Sequence, residues 1–568
     1  MLYFESLLTI NHLLFNILHM SAEILDPSSL SPRQLYARHI AEIRIGLTPD
    51  DVLLVPRAAP IPGVAEEWGP GFTRIVIPDE AFNDPDFEER DLSSRMNTDV
   101  STFIDQDGKI RLAIPIVSSP MIDVTKSGLA IPLTQQGGMG FIHRGLIVAE
   151  QAAEVKRTKN AMSYIFTEVP TLPPSATVFD ARQEMEKSER SLVVITDEGK
   201  HVTGVITRRD VKKGWVEDDK PLSYVLENKP MQGVISVTQQ VDIDPSTGDI
   251  FVRPHPDEKP IKATDFMWQN RIEKLIVVDD EGRLIGAIVD FDIRLRKDFP
   301  NATIDEKGRL RVGAAFGIKN YMKRVEALVD AGVDMLCLDT ANAYQRQALD
   351  AVSAISKRYP DVPILAGSIA TRQGVRMLKD AGAKSIRNNI GSGSTCLTRG
   401  VSGFGVPSLT STLEVADEAD KFGIPVIADG GIEYSSDLAK LFAAGARAAM
   451  LGKKLAAAEE SSAEIYVDPE TGNRYKLYYG MASERNRKIL QIAEGLTPTE
   501  FTRKQEGAPI MLGIKGDVAY IVGDLVAGLR SGLTYGGVLT LEQLRNEVDF
   551  IRITQSGYVE SGIRGDRF

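Results

Sequence analysis

The sequence predicts an α/β protein: a (β/α)8 barrel of the TIM type that carries an inserted pair of related units. Three observations predict it. Short apolar runs at residues 311–315, 335–339, 363–366, 384–388, 425–431 and 448–452 end in polar or glycine-rich loops, with helical stretches between them. The same alternation opens earlier, where residues 112–117 and 137–144 flank a helical pattern through Leu129. Between Ala152 and Leu310 the rhythm stops and two mutually similar segments take its place. An insertion of that kind requires its two ends to lie close together.

Length and charge narrow the function. A chain of 568 residues exceeds one ordinary domain. A net charge of −12 argues against a nucleic-acid partner, although backbone N–H groups can hold a small phosphorylated substrate without net positive charge. Only Cys337 and Cys396 are present, which excludes a disulfide framework and points to a reducing, cytoplasmic setting. The apolar start, residues 1–20, carries Glu5 and His12 and has no basic leader, so an amphipathic arm or an over-extended start before Met20 is expected. No membrane partner is expected.

In order, residues 1–44 form an extension, 45–155 the first part of the barrel, 156–298 the insert and 299–568 the second part. A turn and short strand cover residues 45–56, and an acidic, proline-rich, irregular stretch runs to Gly108. In the insert, each unit has an apolar strand, an acidic-glycine turn (Glu198-Gly199, Glu281-Gly282) and a second strand. These end at Thr207-Arg208-Arg209-Asp210 and Val289-Asp290-Phe291-Asp292. Residues 242–259, polar and acidic, read as a surface loop.

The chemistry concentrates in Ile390-Gly391-Ser392-Gly393-Ser394-Thr395-Cys396-Leu397-Thr398-Arg399. Its glycines permit backbone angles that aim carbonyls and N–H groups at a ligand. Cys396 is a candidate nucleophile, with Thr398 beside it to handle a proton. Asp429-Gly430-Gly431 and Gly452 close consecutive strands, where a barrel holds phosphate.

Together with Leu47-Thr48-x-Asp50-Asp51-Val52-Leu53, Ser118-x-Pro120-Met121, residues 308–315 and Gly528-Leu529-Arg530-Ser531, these motifs resemble the IMP dehydrogenase / GMP reductase family from about Ile45 onward. The insert resembles a tandem pair of CBS domains (a Bateman module). The resemblance implies oxidoreductase chemistry at purine C2 through a covalent Cys396 thioimidate, with Thr398 and Glu506 moving protons. Ser119, Met121, Ser394, Asp429, Gly430, Gly431, Gly452 and Lys453 would hold the purine nucleoside monophosphate, joined by Gly480, Met481, Ala482, Arg503 and Gly507. Asp339, Thr340, Ala341, Ser368 and Gly391 would contact the nicotinamide cofactor. Carbonyls of Gly391, Gly393 and Cys396 would bind potassium. Thr207, Asp210 and Asp292 would take an adenine or guanine nucleotide effector; Val289, where threonine is usual, weakens the second site. Homotetramers or homooctamers are the family's assemblies.

Two reactions divide the family. The dehydrogenase requires an Arg-Tyr pair in its flap, and none occurs between Met481 and Gly516. Arg503-x-x-Glu506-Gly507 and Lys515-Gly516-Asp517-Val518 resemble the reductase, as does Asp339-x-Ala341-Asn342-x-Tyr344. NADPH-dependent deamination of GMP to IMP is therefore expected. NAD-dependent IMP oxidation to XMP is the alternative, favoured by the insert and the Glu560-Ser561 tail. Ser368, Asn388-Asn389, Ser392 and Arg144 depart from the family pattern and motivate a third reading, a nucleotide sensor with weakened catalysis.

Overall fold

The computed structural model describes residues 47–56, 66–69, 72–75, 95–188, 190–229, 234–244, 249–497 and 506–562. Eight parallel strands form its centre: β1 (Ile116–Ser118), β2 (Gly140–Ile142), β3 (Val312–Phe316), β4 (Met335–Leu338), β5 (Ile364–Ile369), β6 (Ser385–Asn388), β7 (Val426–Asp429) and β8 (Ala448–Leu451). Hydrogen-bonded neighbours run from β1 through β8 and down to β2. A bridge between Val117 and Met139 closes β2 onto β1. The strands are buried on both faces, which explains why they read as continuous apolar runs.

The barrel interior is filled by Val117, Met139, Phe141, Met335, Leu365, Ile427 and Met450. At one end Ile104, Ile110 and Leu112 join that cluster from a hairpin pairing Thr102–Phe103 with Arg111–Leu112. Residues 112–117 are thus two elements, not the single strand expected. Pro115 has no N–H to give a ladder, and the N–H groups of Ala113 and Ile114 both turn to the Gly137 carbonyl. Part of the stretch read as irregular also pairs, Glu66–Gly69 against Phe72–Ile75.

The insert leaves after the helix Val148–Lys159 and returns ahead of β3. Lys159, almost fully buried, ties the two ends by pairing with Asp305 at 2.9 Å and Asp334 at 2.8 Å. Removing one partner would strand a buried charge, a strongly destabilising change.

Each inserted unit has a three-stranded sheet. In the first, Thr171–Leu172 runs parallel to Leu192–Thr196, which pairs antiparallel with Val202–Thr207. The second repeats this with Ser236–Thr238, Lys274–Val278 and Leu284–Val289. Phe166, Val169, Leu192, Val194, Ile276 and Ala287 form the apolar seam between them. The segment expected as a loop at 242–259 instead contributes to an antiparallel sheet of Val241–Ile243, Ile250–Val252 and Ile261–Lys262. The alternation Val241, Ile243 and then Ile250, Val252 was masked by the surrounding acidic and proline residues. Among the described residues no helix is long and apolar enough to cross a membrane.

Candidate active site

A cavity of about 690 Å³ opens at the C-terminal ends of the barrel strands. The loop after β6 brings Cys396 into it. Asn389 and Gly391 both adopt left-handed backbone angles, φ 87° and 84°, to turn the chain there. The side chains of Asn389 and Ser392 each donate to the Asp429 carbonyl at 3.0 Å. These two departures from the family pattern therefore lash the cysteine loop to the Asp429-Gly430 turn.

The flap completes the loop from above. Leu397 donates its N–H to the Glu506 carbonyl at 2.8 Å, and Ala508 donates to the Thr395 carbonyl at 3.0 Å. Gly480 and Gly507 meet so closely that a Cβ on Gly480 would lie 2.8 Å from the Gly507 Cα. The side chains then line up in one direction. The Cys396 thiol donates to Thr398 Oγ1 at 3.2 Å, and the Thr398 hydroxyl donates to Glu506 Oε2 at 2.9 Å. That is an unbroken path from sulfur through hydroxyl to carboxylate. The other cysteine has none of this: Cys337 is fully buried, and burial pushes its thiol up to about 12.

Gly430, Gly431, Gly452, Ser394, Ser119 and Met121 line one end of the cavity. The Tyr478 hydroxyl, donating to Met121 Sδ at 3.1 Å, lies 2.8 Å from where a Gly452 Cβ would sit, so a side chain there would have to displace it. Lys453 lines the same end, paired with Glu433 at 3.0 Å. Met481, Ala482 and Gly480 also line the cavity. Toward the other end lie Asp339, Thr340, Ala341 and Ser368. Charges alternate along this floor: Glu494 with Arg144 at 2.7 Å, Arg144 with Asp339 at 3.0 Å, Asp339 with Arg387 at 3.3 Å, and Arg387 with Asp429 at 3.5 Å. Burial pushes the Asp429 carboxyl up, and Arg387 acts against that shift.

A model of the IMP dehydrogenase / GMP reductase domain matches residues 87–564. The chain belongs to that family. Curated relatives of the family include the inosine-5'-monophosphate dehydrogenase of Aquifex aeolicus (strain VF5), 37% identical over 92% of this chain and 96% of its own. That of Chlorobaculum tepidum is 38% identical over 80% and 89%. Among solved structures, a GMP reductase from Trypanosoma brucei in complex with guanosine 5'-monophosphate superposes with a TM-score of 0.76. It is 28% identical and covers 93% of this chain and 100% of its own.

Most residues expected from the family motifs line the cavity, with two exceptions. Gly507 sits behind Gly480 rather than at the surface of the cavity, and Arg503 lies outside the described residues. The carbonyl set expected for potassium fits less well. Gly393 accepts the Cys396 N–H at 2.9 Å, and the Arg399 side chain, a fixed positive charge, packs against Gly391. The family motifs did not point to Arg387, Tyr478, Glu433 or Glu494. Arg387 had a signal: a charge inside an apolar barrel strand must meet buried partners.

In the insert, a second cavity of about 490 Å³ is lined by Thr207, Arg209, Lys229, Arg271 and Lys274 among others. Asp210 accepts from the Thr207 N–H at 2.7 Å and hydroxyl at 2.8 Å, and pairs with Lys229 at 2.8 Å. In the second unit Asp292 is buried, and burial pushes its carboxyl up to about 6, with Arg190 opposing.

Proposed function

We propose that this protein reductively deaminates GMP to IMP and ammonia with NADPH. The observation that carries the reading is the chain Cys396, Thr398, Glu506, which ends in a flap carboxylate, in a flap without the Arg-Tyr pair that the dehydrogenase reaction calls for between Met481 and Gly516. Cys396 Sγ adds to purine C2, and the exocyclic amino group leaves as ammonia, its proton delivered through Thr398 and Glu506. The resulting thioimidate is reduced at C2 and collapses, returning the thiolate and releasing IMP. Glycine N–H groups at 430, 431 and 452 hold the 5'-phosphate, and Asp429 takes the ribose hydroxyls. Gly480, Met481 and Ala482 seat the base.

The cavity that holds Cys396 is also lined by Asp339, Thr340, Ala341, Ser368 and Gly391, and this mixed polar and apolar lining supports the reading that they hold the ribose and carboxamide of a dinucleotide. A nicotinamide bound there supplies the hydride. Arg144 and Arg387 fix Asp339 from both sides and keep its carboxylate oriented. A GMP reductase chain aligned over its whole length to 93% of this chain leaves no room to omit residues 160–298, so the insert is compatible with the reductase. We assign that insert as a CBS pair whose first cavity takes an adenine or guanine nucleotide, and the assembly as a homotetramer or homooctamer.

A second reading, IMP oxidation to XMP with NAD, is favoured by the curated relatives, which are named IMP dehydrogenases at 34–38% identity. One spectrophotometric comparison separates the two. GMP with NADPH is expected to lose nicotinamide absorbance and release ammonia, whereas NADH formation from IMP and NAD alone would reverse the assignment.

A further inference from the structure

At the phosphate end of the cavity the charged groups form a triad of their own. Lys453 Nζ lies 3.0 Å from Glu433 Oε2, and Lys454 Nζ lies 3.7 Å from Glu433 Oε1. Glu433 closely follows the turn through Gly430 and Gly431, and Lys453 directly follows Gly452. Both line the cavity, and both side chains are about a third exposed or more, 42% for Glu433 and 34% for Lys453. An ion pair this open to water is a weak one, easily exchanged for a better anion. A phosphate dianion seated on the adjacent glycine loops carries twice the charge of a carboxylate and accepts from the ammonium and the loop N–H groups together.

We propose that Glu433 is an affinity-setting residue of the phosphate subsite, a built-in anion that holds Lys453 until a phosphate ester displaces it. This rests on the nucleotide reading of the cavity given above. The pairing does two things. It keeps Lys453 at the site, and it sets a threshold: a ligand must present enough negative charge to win the ammonium from Glu433. Nucleoside monophosphates pass that threshold, whereas unphosphorylated nucleosides have nothing to offer Lys453. Because the exchange takes place near solvent, added salt screens it and weakens nucleotide binding more than nucleoside binding.

The test is calorimetric titration of the full-length enzyme with GMP, with IMP and with guanosine, none of which requires turnover. Glu433→Gln is expected to tighten GMP and IMP by about two- to five-fold and to leave guanosine unchanged. Lys453→Met is expected to weaken both nucleotides by about ten-fold. In the Lys453→Met background, Glu433→Gln is expected to have a smaller effect, because most of its influence acts through the Lys453 ammonium. Weaker GMP binding by Glu433→Gln, or an equal gain for guanosine, overturns the proposal. So does a gain that is undiminished without Lys453. Wild-type enzyme that binds GMP while Glu433→Gln changes nothing sinks this inference alone; wild-type enzyme that binds neither nucleotide sinks the reading of the cavity with it.

Discussion

The barrel mouth and the cavity of the insert are both built where strands end, yet they spend their polar groups in opposite ways. At the mouth, the thiol of Cys396 and the carboxylate of Glu506 meet through one hydroxyl, with Cys396, Thr398 and Glu506 all lining open space. In the insert, Asp210 is already engaged by the Thr207 N–H, the Thr207 hydroxyl and Lys229, so the same turn that would greet a ligand also pins the end of its strand. The mouth is arranged around groups left available for a reacting atom. The insert is arranged around a turn that is complete before any ligand arrives. Substitutions should therefore separate the two regions by size of effect and by the property that changes.

The largest effect is expected from Cys396→Ala, which removes the nucleophile: turnover should fall by more than about 10³-fold, while nucleotide binding by calorimetry is retained. Undiminished turnover would dissolve the contrast with the insert. Next, Glu506→Gln should cost about 10²- to 10⁴-fold in kcat with little change in nucleotide affinity, since it leaves the loop contacts of the Glu506 carbonyl intact. In the insert, Thr207→Ala should weaken adenine- or guanine-nucleotide binding to that cavity by about ten-fold, with basal turnover unaltered. Equilibrium binding to a Cys396→Ala background reads that cavity in a protein that does not turn over.

A change in stability rather than in binding or turnover is expected at Asp292. Burial pushes its carboxyl up to about 6 from an ordinary 3.8, so the folded protein disfavours its charged form. The contribution to stability is complete below the unfolded value and is lost as pH rises through about 6. Asp292→Asn removes that loss and should stabilise the full-length protein by at most roughly 2–3 kcal/mol at neutral pH. Thermal unfolding measured from pH 5 to pH 7.5 should show the wild type falling behind the variant across that interval.

Much of this was legible in the residues alone. The barrel strands were readable because each is a short, doubly buried apolar run with a polar end, and Cys396, Thr398, Asp429 and Gly430 stand in glycine- and hydroxyl-rich loops at strand ends, which the barrel gathers around one cavity. Two kinds of feature escaped. The short strands Val241–Ile243 and Ile250–Val252 carry too few apolar positions to stand out from their acidic flanks. The charge chain across the cavity floor, and the pairing of Glu433 with Lys453, join residues far apart in sequence, and only the closed barrel brings them within reach. Pro115 was visible in the sequence, but its power to split residues 112–117 shows only once the barrel ladder is counted.

The most direct test of covalent chemistry at purine C2 uses NADPH deuterated at the transferring position of the nicotinamide, with GMP as substrate. Wild-type enzyme should yield IMP bearing one deuterium at C2, read by mass spectrometry and proton NMR, and Cys396→Ala should yield none. Labelled IMP from Cys396→Ala at the wild-type rate, or no labelled IMP from the wild type, would contradict the account.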